Sequence, residues 1–324
     1  RYLSSNYLEP LDKYLKKDKI DMKPYGLAVN AVKSKGKLMA FPYRSDIYIL
    51  YYNKDIFDKA GVPYPTNDMT WDQFQATAKK LTSGQGNDKV WGAFFHNWRS
   101  QIQCPPLLTT SKSLVDGKYS FLKPMYQMVL KMQNEDKSIM SYAELKTQQA
   151  HYRALFENGK VGMEWMGTWL IGSLIADKKL GKHNVNWGIA KAPHFKGLKP
   201  GSTITGLTTL AMNPKSTKKD AAWKFISYMG GAKGAKIFAK YGTLPALRTP
   251  EVLSVYTSAD GFPANGSVAL ESDKTTVEIP PSPFTAAIDK ILQEEHELIM
   301  TGQKTLDQGI KDMERRVKEV LTEE

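Results

Sequence analysis

The 324-residue sequence predicts an α/β protein folded as two domains or as one pair of lobes crossed by the chain. Three observations point there. Short β-rich runs alternate with amphipathic stretches of about 10–17 residues, the arrangement of strand–helix units in mostly parallel sheets. The length is more than a single hydrophobic core organises comfortably. A content of 41% hydrophobic, 11% aromatic and 24% charged residues belongs to a folded globular chain and excludes a disordered one.

Residues 7–19 place Leu8, Leu11 and Leu15 at helical spacing among lysines, which predicts a short amphipathic helix. Gly36 and Lys37 turn the chain into a buried strand at 38–41. The run IYILYY at 47–52 predicts the next strand, and a helical pattern begins at Asn53. Thr70 and Gln73 form a capping box, in which the threonine hydroxyl accepts a backbone N–H three residues on and the glutamine returns the bond. Phe74, Ala78 and Leu81 then repeat on one face until Ser83 and Gly84 stop the helix. A strand at 90–95 is followed by the loop His96-Asn97-Trp98-Arg99, and helices are expected at 121–136 and 151–156. A strand at 161–166 runs into Gly167-Thr168-Trp169 and a further helix. Strands at 185–190 and 206–212 precede a helix that Thr217 caps, with Trp223, Ile226 and Met229 turned inward. Two amphipathic helices, 284–300 and 305–321, finish the chain.

The chemistry-bearing inventory is thin. The single cysteine, Cys104, excludes an internal disulfide framework and any multi-cysteine metal site. His96, His151, His183, His194 and His296 never fall at metal-ligand spacing, and no phosphate-cradling glycine loop or G-x-S-x-G elbow is present. No carboxylate pair sits at a strand end with a base nearby, as a glycoside hydrolase would need. No metal, nucleotide or covalent cofactor is therefore expected, and a binding protein is favoured over an enzyme. The longest apolar run, 47–52, is far short of the ~20 residues that span a bilayer.

The net charge of +12 is local. Residues 160–250 carry 15 basic against 3 acidic side chains, while 251–324 carry 7 against 15. Lysine supplies nearly all of the excess and clusters at turns (Lys178, Lys179, Lys182, Lys215, Lys218, Lys219), with seven arginines in the whole chain. A nucleic-acid reader would interleave arginine and stacking aromatics on one element, so no nucleic-acid partner is expected.

Aromatic residues at strand-to-helix turns are the positive signal. Trp98 and Trp169 each follow a strand, and Tyr43 precedes one. In open α/β sheets ligands bind beyond the carboxyl ends of strands, where an indole offers a flat apolar plate to the C–H face of a sugar. Trp71, Trp187 and Trp223 lie inside regular elements and are assigned to the core.

Several blocks carry a family resemblance. The run FPYRSDIYILYYNKDIF at 41–57 with AGVP at 60–63 resembles the hallmark of bacterial extracellular solute-binding proteins. TWDQF at 70–74, FENGKVGM at 156–163 followed by GTW at 167–169, AAWKFI at 221–226 and GTLPA at 242–246 are similar to further blocks of that family, in its order and spacing. The resemblance covers nearly the whole chain. It implies the substrate-capture subunit of an ABC importer of the maltose- and carbohydrate-binding type, with two α/β lobes joined by hinge strands and ligand held between them. The first lobe is expected to comprise 1–44 plus 209–245 and the second 47–204 plus 248–324, with crossovers near 43–47, 204–209 and 244–248.

By the same resemblance, Asp46 takes the place of a frequent sugar-hydroxyl acceptor and Trp169 that of the sugar-stacking tryptophan. Tyr43, Arg44, Asn97, Trp98, Arg99, Gln101, Thr205, Gly206 and Arg248 complete the expected ligand set. The implied partners are a carbohydrate and the importer's membrane permease subunits, and the implied state is a monomer outside the cell membrane, anchored there by lipid. The chain begins at Arg1, without a visible signal peptide, and the family's opening strand–helix units are expected to precede it. Two competing ligand classes are a glycerol phosphodiester, kept open by the basic middle segment, and a polysaccharide undergoing cleavage.

Overall fold

The structure, a computed structural model, describes Tyr2 and residues 7–264 and 266–322. Its strands are β1 (Lys33–Ser34), β2 (Lys37–Leu38), β3 (Phe41–Asn53), β4 (Trp91–Phe94), β5 (Val161–Gly167), β6 (Trp187–Ala190), β7 (Thr203–Leu210) and β8 (Thr275–Val277). The helices are α1 (Asp12–Lys17), α2 (Lys54–Ala60), α3 (Trp71–Leu81), α4 (Ser100–Gln103), α5 (Lys123–Asn134), α6 (Tyr142–Thr147) and α7 (Tyr152–Glu157). After them come α8 (Trp169–Lys179), α9 (Lys219–Gly230), α10 (Ala232–Lys240), α11 (Pro250–Thr257), α12 (Thr285–Met300) and α13 (Leu306–Thr322).

One strand organises the molecule. β3 is 13 residues long, and its two halves pair with different partners. Phe41 to Ile47 run antiparallel to β7, with Asp46 opposite Gly206 and Ile47 opposite Thr205. Beyond Ile47 the strand is flanked by β5 on one side and β6 on the other, both antiparallel to it. β4 lies parallel to β5, and β8 parallel to β7. The expectation of mostly parallel sheets is thus corrected: three of the five pairings around β3 are antiparallel. Local strand–helix alternation does set β4 and β5 parallel, but β3 enters from the other half of the molecule and runs against the strands it meets.

The pleat of β3 splits the core in two. Tyr48 and Leu50 face a cluster that includes Phe74 of α3, Tyr126 and Val129 of α5, Trp165 of β5 and Ile288 and Leu292 of α12. Ile47, Ile49 and Tyr51 face a second cluster with Leu170 and Leu174 of α8, Trp223 and Ile226 of α9 and Val252 of α11. Around the start of β3, Phe41 meets Trp223 at 6.0 Å and Tyr25 at 5.4 Å, and the Tyr25 hydroxyl donates to the carbonyl of Gly230. The last two helices pack on α5 and α6, where the Tyr126 hydroxyl lies 2.9 Å from Nδ1 of His296 and Gln133 donates to the carbonyl of Met300.

Local chemistry explains the element ends. The Thr70–Gln73 capping box is present, and Asn53 caps α2 through its side-chain oxygen. Lys35 and Gly36 both have positive φ (49° and 76°), the left-handed pair that closes a two-residue hairpin between β1 and β2. The buried strand expected at 38–41 is therefore a hairpin arm followed directly by β3. Thr217 does not cap its helix: α9 starts at Lys219 from Lys218, without a side-chain cap. Gly230, not Met229, is the third buried position of that helix, and it sits where a Cβ would meet the Phe41 ring at 2.3 Å.

Candidate functional site

Three stretches of backbone meet where β3 passes from β7 to β5. Thr205 Oγ1 donates to the carbonyl of Asp46, and the N–H of Thr168 donates to the carbonyl of Ile47. The third is the turn after α10, whose Pro245 bridges to Arg44 while the Ala246 N–H donates to the carbonyl of Tyr43. Side chains from all three converge on one spot.

Asp46 is its polar centre. The carboxylate is buried, pairs with Nε of Arg44 and accepts from Thr168 Oγ1 at 2.9 Å. Burial raises its pKa, opposed by the Arg44 charge and the bonds from Arg44 and Thr168. Trp169, the first residue of α8, is half-buried beside it, with the Arg44 guanidinium 6.0 Å from its ring centre and Tyr48 edge-on at 5.3 Å. Gly167 makes this placement possible: a Cβ there would lie 2.0 Å from Cζ3 of Trp169. Trp98, 37% exposed, stands 6.1 Å from Trp169 at 61°. Behind Trp98 the His96 ring is stacked almost parallel, 6° off at 4.4 Å, and Tyr152 closes the group at 5.8 Å from Trp98. Burial pushes the His96 imidazole down to about 4, so it is neutral at physiological pH.

The sequence-predicted residues divide into two groups. Arg44, Asp46, Trp98, Trp169, Thr205 and Gly206 come together at or beside the crossing, with Gly206 exposed on β7. Tyr43 sits at an irregularity in the β3–β7 register and packs on Phe238 of α10 at 5.3 Å, away from the tryptophan pair. Asn97 is half-buried, and its backbone carbonyl accepts from the Tyr142 hydroxyl. Arg248 reaches back to donate to the carbonyl of Ser45, tying the third segment to β3. Gln101 differs from the expected cleft lining, and Arg99 lines the cavity beside Thr205 and Gly206 with its side chain turned inward. Gln101 is fully buried, its amide nitrogen against Sδ of Met166. The Arg99 side chain is 4% exposed, and its donors go to Gln103, Glu278 and Asp289. Both residues sit on the first turn of a short helix that rolls them into the core, a rotation the loop pattern at 96–99 did not reveal.

The sequence also left residues unmarked. Thr168, His96, Tyr152 and Tyr48 build the walls of the site, and Glu278 and Asp289 rim a cavity of about 480 Å³ that continues from Thr205 and Gly206. Thr168 had a signal, its place between Gly167 and Trp169; the acids had none, because more than 70 residues separate them from Thr205 and Gly206 in sequence. A cavity of about 600 Å³ lies elsewhere, lined by Asn53, Lys59, Lys80 and Glu157 where β3 ends and β4 to β6 begin. It faces away from the crossing and shares no residue with it. Among the described residues no cluster of three or more His, Cys, Asp or Glu side chains could hold a metal ion. No described helix is long and apolar enough to cross a membrane.

The fold is the two-lobed α/β fold of periplasmic ligand-binding proteins. The chain belongs to the bacterial extracellular solute-binding protein family, whose profile matches residues 1–236. A sugar transporter of Rhizobium etli, solved in an open conformation, is 46% identical and superposes with a TM-score of 0.87 over 97% of this chain and 80% of its own. The ABC substrate-binding protein of Listeria monocytogenes in complex with cycloalternan is 25% identical, with a TM-score of 0.86 over 99% of this chain and 81% of its own. Among curated proteins, the sn-glycerol-3-phosphate-binding periplasmic protein of Brucella melitensis biotype 1 is 27% identical over 247 residues, 70% of this chain and 54% of that protein. The chain thus spans about half the length of the curated relatives it matches.

Proposed function

We propose that this chain captures a neutral carbohydrate at the β3–β7 crossing and delivers it to the membrane subunits of an ABC importer, without catalysing a reaction. The observation that carries this reading is the pairing of two indoles, 6.1 Å apart, with a buried carboxylate on the crossing strand. The indoles offer apolar plates to C–H faces, and Asp46 offers oxygens to hydroxyls. A solved relative supports it: the Listeria monocytogenes ABC substrate-binding protein holds cycloalternan.

The lobes would be 1–44 plus 209–245 and 47–204 plus 248–324, with crossovers near 43–47, 204–209 and 244–248. Ligand touching both would favour the closed arrangement and so shift the population toward it. The protein would act as a monomer outside the cell membrane, held there by a lipid anchor.

The names of the curated relatives make a glycerol phosphate the natural competitor. The charges around the crossing argue against it. Among the described residues at the crossing, Arg44, Arg99 and Arg248 are matched one for one by Asp46, Glu278 and Asp289, so the site carries no net positive charge to favour a phosphate. A thermal-shift panel of maltose, maltotriose, D-mannitol, α-D-tagatose, cycloalternan and sn-glycerol 3-phosphate tests the choice. Ligand at 100 times Kd adds about 2.7 kcal/mol of stability. A shift with a neutral sugar is expected; a shift with the phosphate alone would overturn the reading.

A further inference from the structure

We propose that Glu278 and Asp289 form a second, hydroxyl-accepting subsite that takes a diol of the same neutral ligand. The proposal rests on the carbohydrate reading above. It starts from Arg99, whose side chain is 4% exposed while those of its partners Glu278 and Asp289 are 41% and 54% exposed. The guanidinium engages one oxygen of each acid: Nε and Nη2 donate to Oδ1 of Asp289 at 2.8 and 2.5 Å, and Nη2 donates to Oε1 of Glu278 at 3.3 Å. Oδ2 of Asp289 and Oε2 of Glu278 make no hydrogen bond among the described residues.

A carboxylate held by one oxygen presents the other in a fixed direction, already ordered before a ligand arrives. Both acids line the cavity of about 480 Å³ that Thr205 and Gly206 of β7, the strand that carries the crossing site, also line. The chemistry selects the ligand class. One buried cation shared by two carboxylates leaves one net negative charge, which repels phosphate and carboxylate and accepts O–H donors. Neighbouring hydroxyls of a neutral sugar supply two donors a short distance apart. Arg99 is the positioning residue of this subsite, and the acids are its binding groups.

The test is a calorimetric titration of wild type, Glu278→Gln and Asp289→Asn with whichever of maltose, maltotriose, D-mannitol, α-D-tagatose or cycloalternan gives the largest thermal shift. Each amide variant keeps the other acid on Arg99, so both are expected to fold and to bind that sugar 10- to 100-fold more weakly. Glu278→Asp retains the charge but withdraws the oxygen, and should weaken binding similarly if Glu278→Gln folds poorly. Unchanged affinity in these variants, with wild type binding normally, overturns the subsite and leaves the carbohydrate reading standing. Binding of none of the five sugars to wild type removes both. Tighter binding of sn-glycerol 3-phosphate than of any sugar would also overturn the subsite, because its net charge forbids it.

Discussion

Two arginine–carboxylate pairs flank the β3–β7 crossing and are built inside out from one another. At Arg44–Asp46 the acid side chain is 5% exposed and the cation 28%. At Arg99 the cation is 4% exposed, and the acids Asp289 and Glu278 are 54% and 41% exposed. The buried member of each pair depends on its partner, because an ion removed from water must keep its counter-charge. At Arg99 the exposed acids have room to meet a ligand as well.

The largest expected effect tests that asymmetry directly. Replacing Glu278 and Asp289 together by alanine strands the Arg99 guanidinium in a buried position and should cost about 3–5 kcal/mol of stability. Arg44→Ala leaves Asp46 its bond from Thr168, and that carboxyl is already raised by burial and can take up a proton. It should cost about 1–3 kcal/mol, the penalty of one lost charged bond. Thermal melts of both variants check the order, and a larger loss for Arg44→Ala would break the comparison.

Next in size is Trp169→Ala. The indole is half-buried and touches Tyr48 and Trp98, so its removal should weaken sugar binding by about 1.5–3 kcal/mol. That is roughly ten- to hundredfold in Kd. Titration and melting of the same preparation separate the two roles. A variant that melts far lower yet binds normally once folded would make Trp169 a core residue.

Gly167→Ala sharpens the same point without removing the ring. The added methyl would overlap Cζ3, Cε3 and Cη2 of Trp169 at 2.0 to 2.3 Å, so the indole must leave its place at the strand end. Overpacking of this kind costs about 1–3 kcal/mol, and the displaced plate should lower affinity as well. Wild-type affinity in the folded variant would show that the sugar does not use the Trp169 face.

Much of the scaffold was legible because it rests on local signals. The capping box at Thr70 and the periodic Phe74, Ala78 and Leu81 need only their neighbours to act. Trp98 and Trp169 were legible for the same reason, as aromatics at strand ends. What could not be seen was direction. β3 carries a continuous apolar run, and nothing within it says that its two halves pair with different strands or that both runs are antiparallel. The inward roll of Arg99 and Gln101 depends on acids 179 and 190 residues away in the first case and on Met166 in the second. Glu278 lies ahead of the helix expected at 284–300 and Asp289 within it, in a segment whose pattern reads only as acidic. Long-range pairing is what a sequence window does not contain.

The smallest expected effect concerns the histidine behind Trp98. Burial lowers His96 from 6.5 to about 4 and His296, fully enclosed beside Tyr126, from 6.5 to about 3. In both the fold holds the neutral form, whereas the unfolded chain takes up a proton near 6.5. Their contribution to stability is therefore complete above 6.5 and is lost as pH falls toward 4 for His96 and toward 3 for His296. His96 is half-buried, so solvent screening reduces its share to about 1–2 kcal/mol. His96→Phe keeps a flat ring against Trp98 and cannot titrate. Denaturant unfolding at pH 7, 5.5 and 4 should show a shallower loss for this variant than for wild type, with the remainder due to His296 and the carboxylates. Parallel loss in the two proteins would mean that His96 takes up its proton as readily in the fold as outside it, and that the stacked ring behind Trp98 is no barrier to charge.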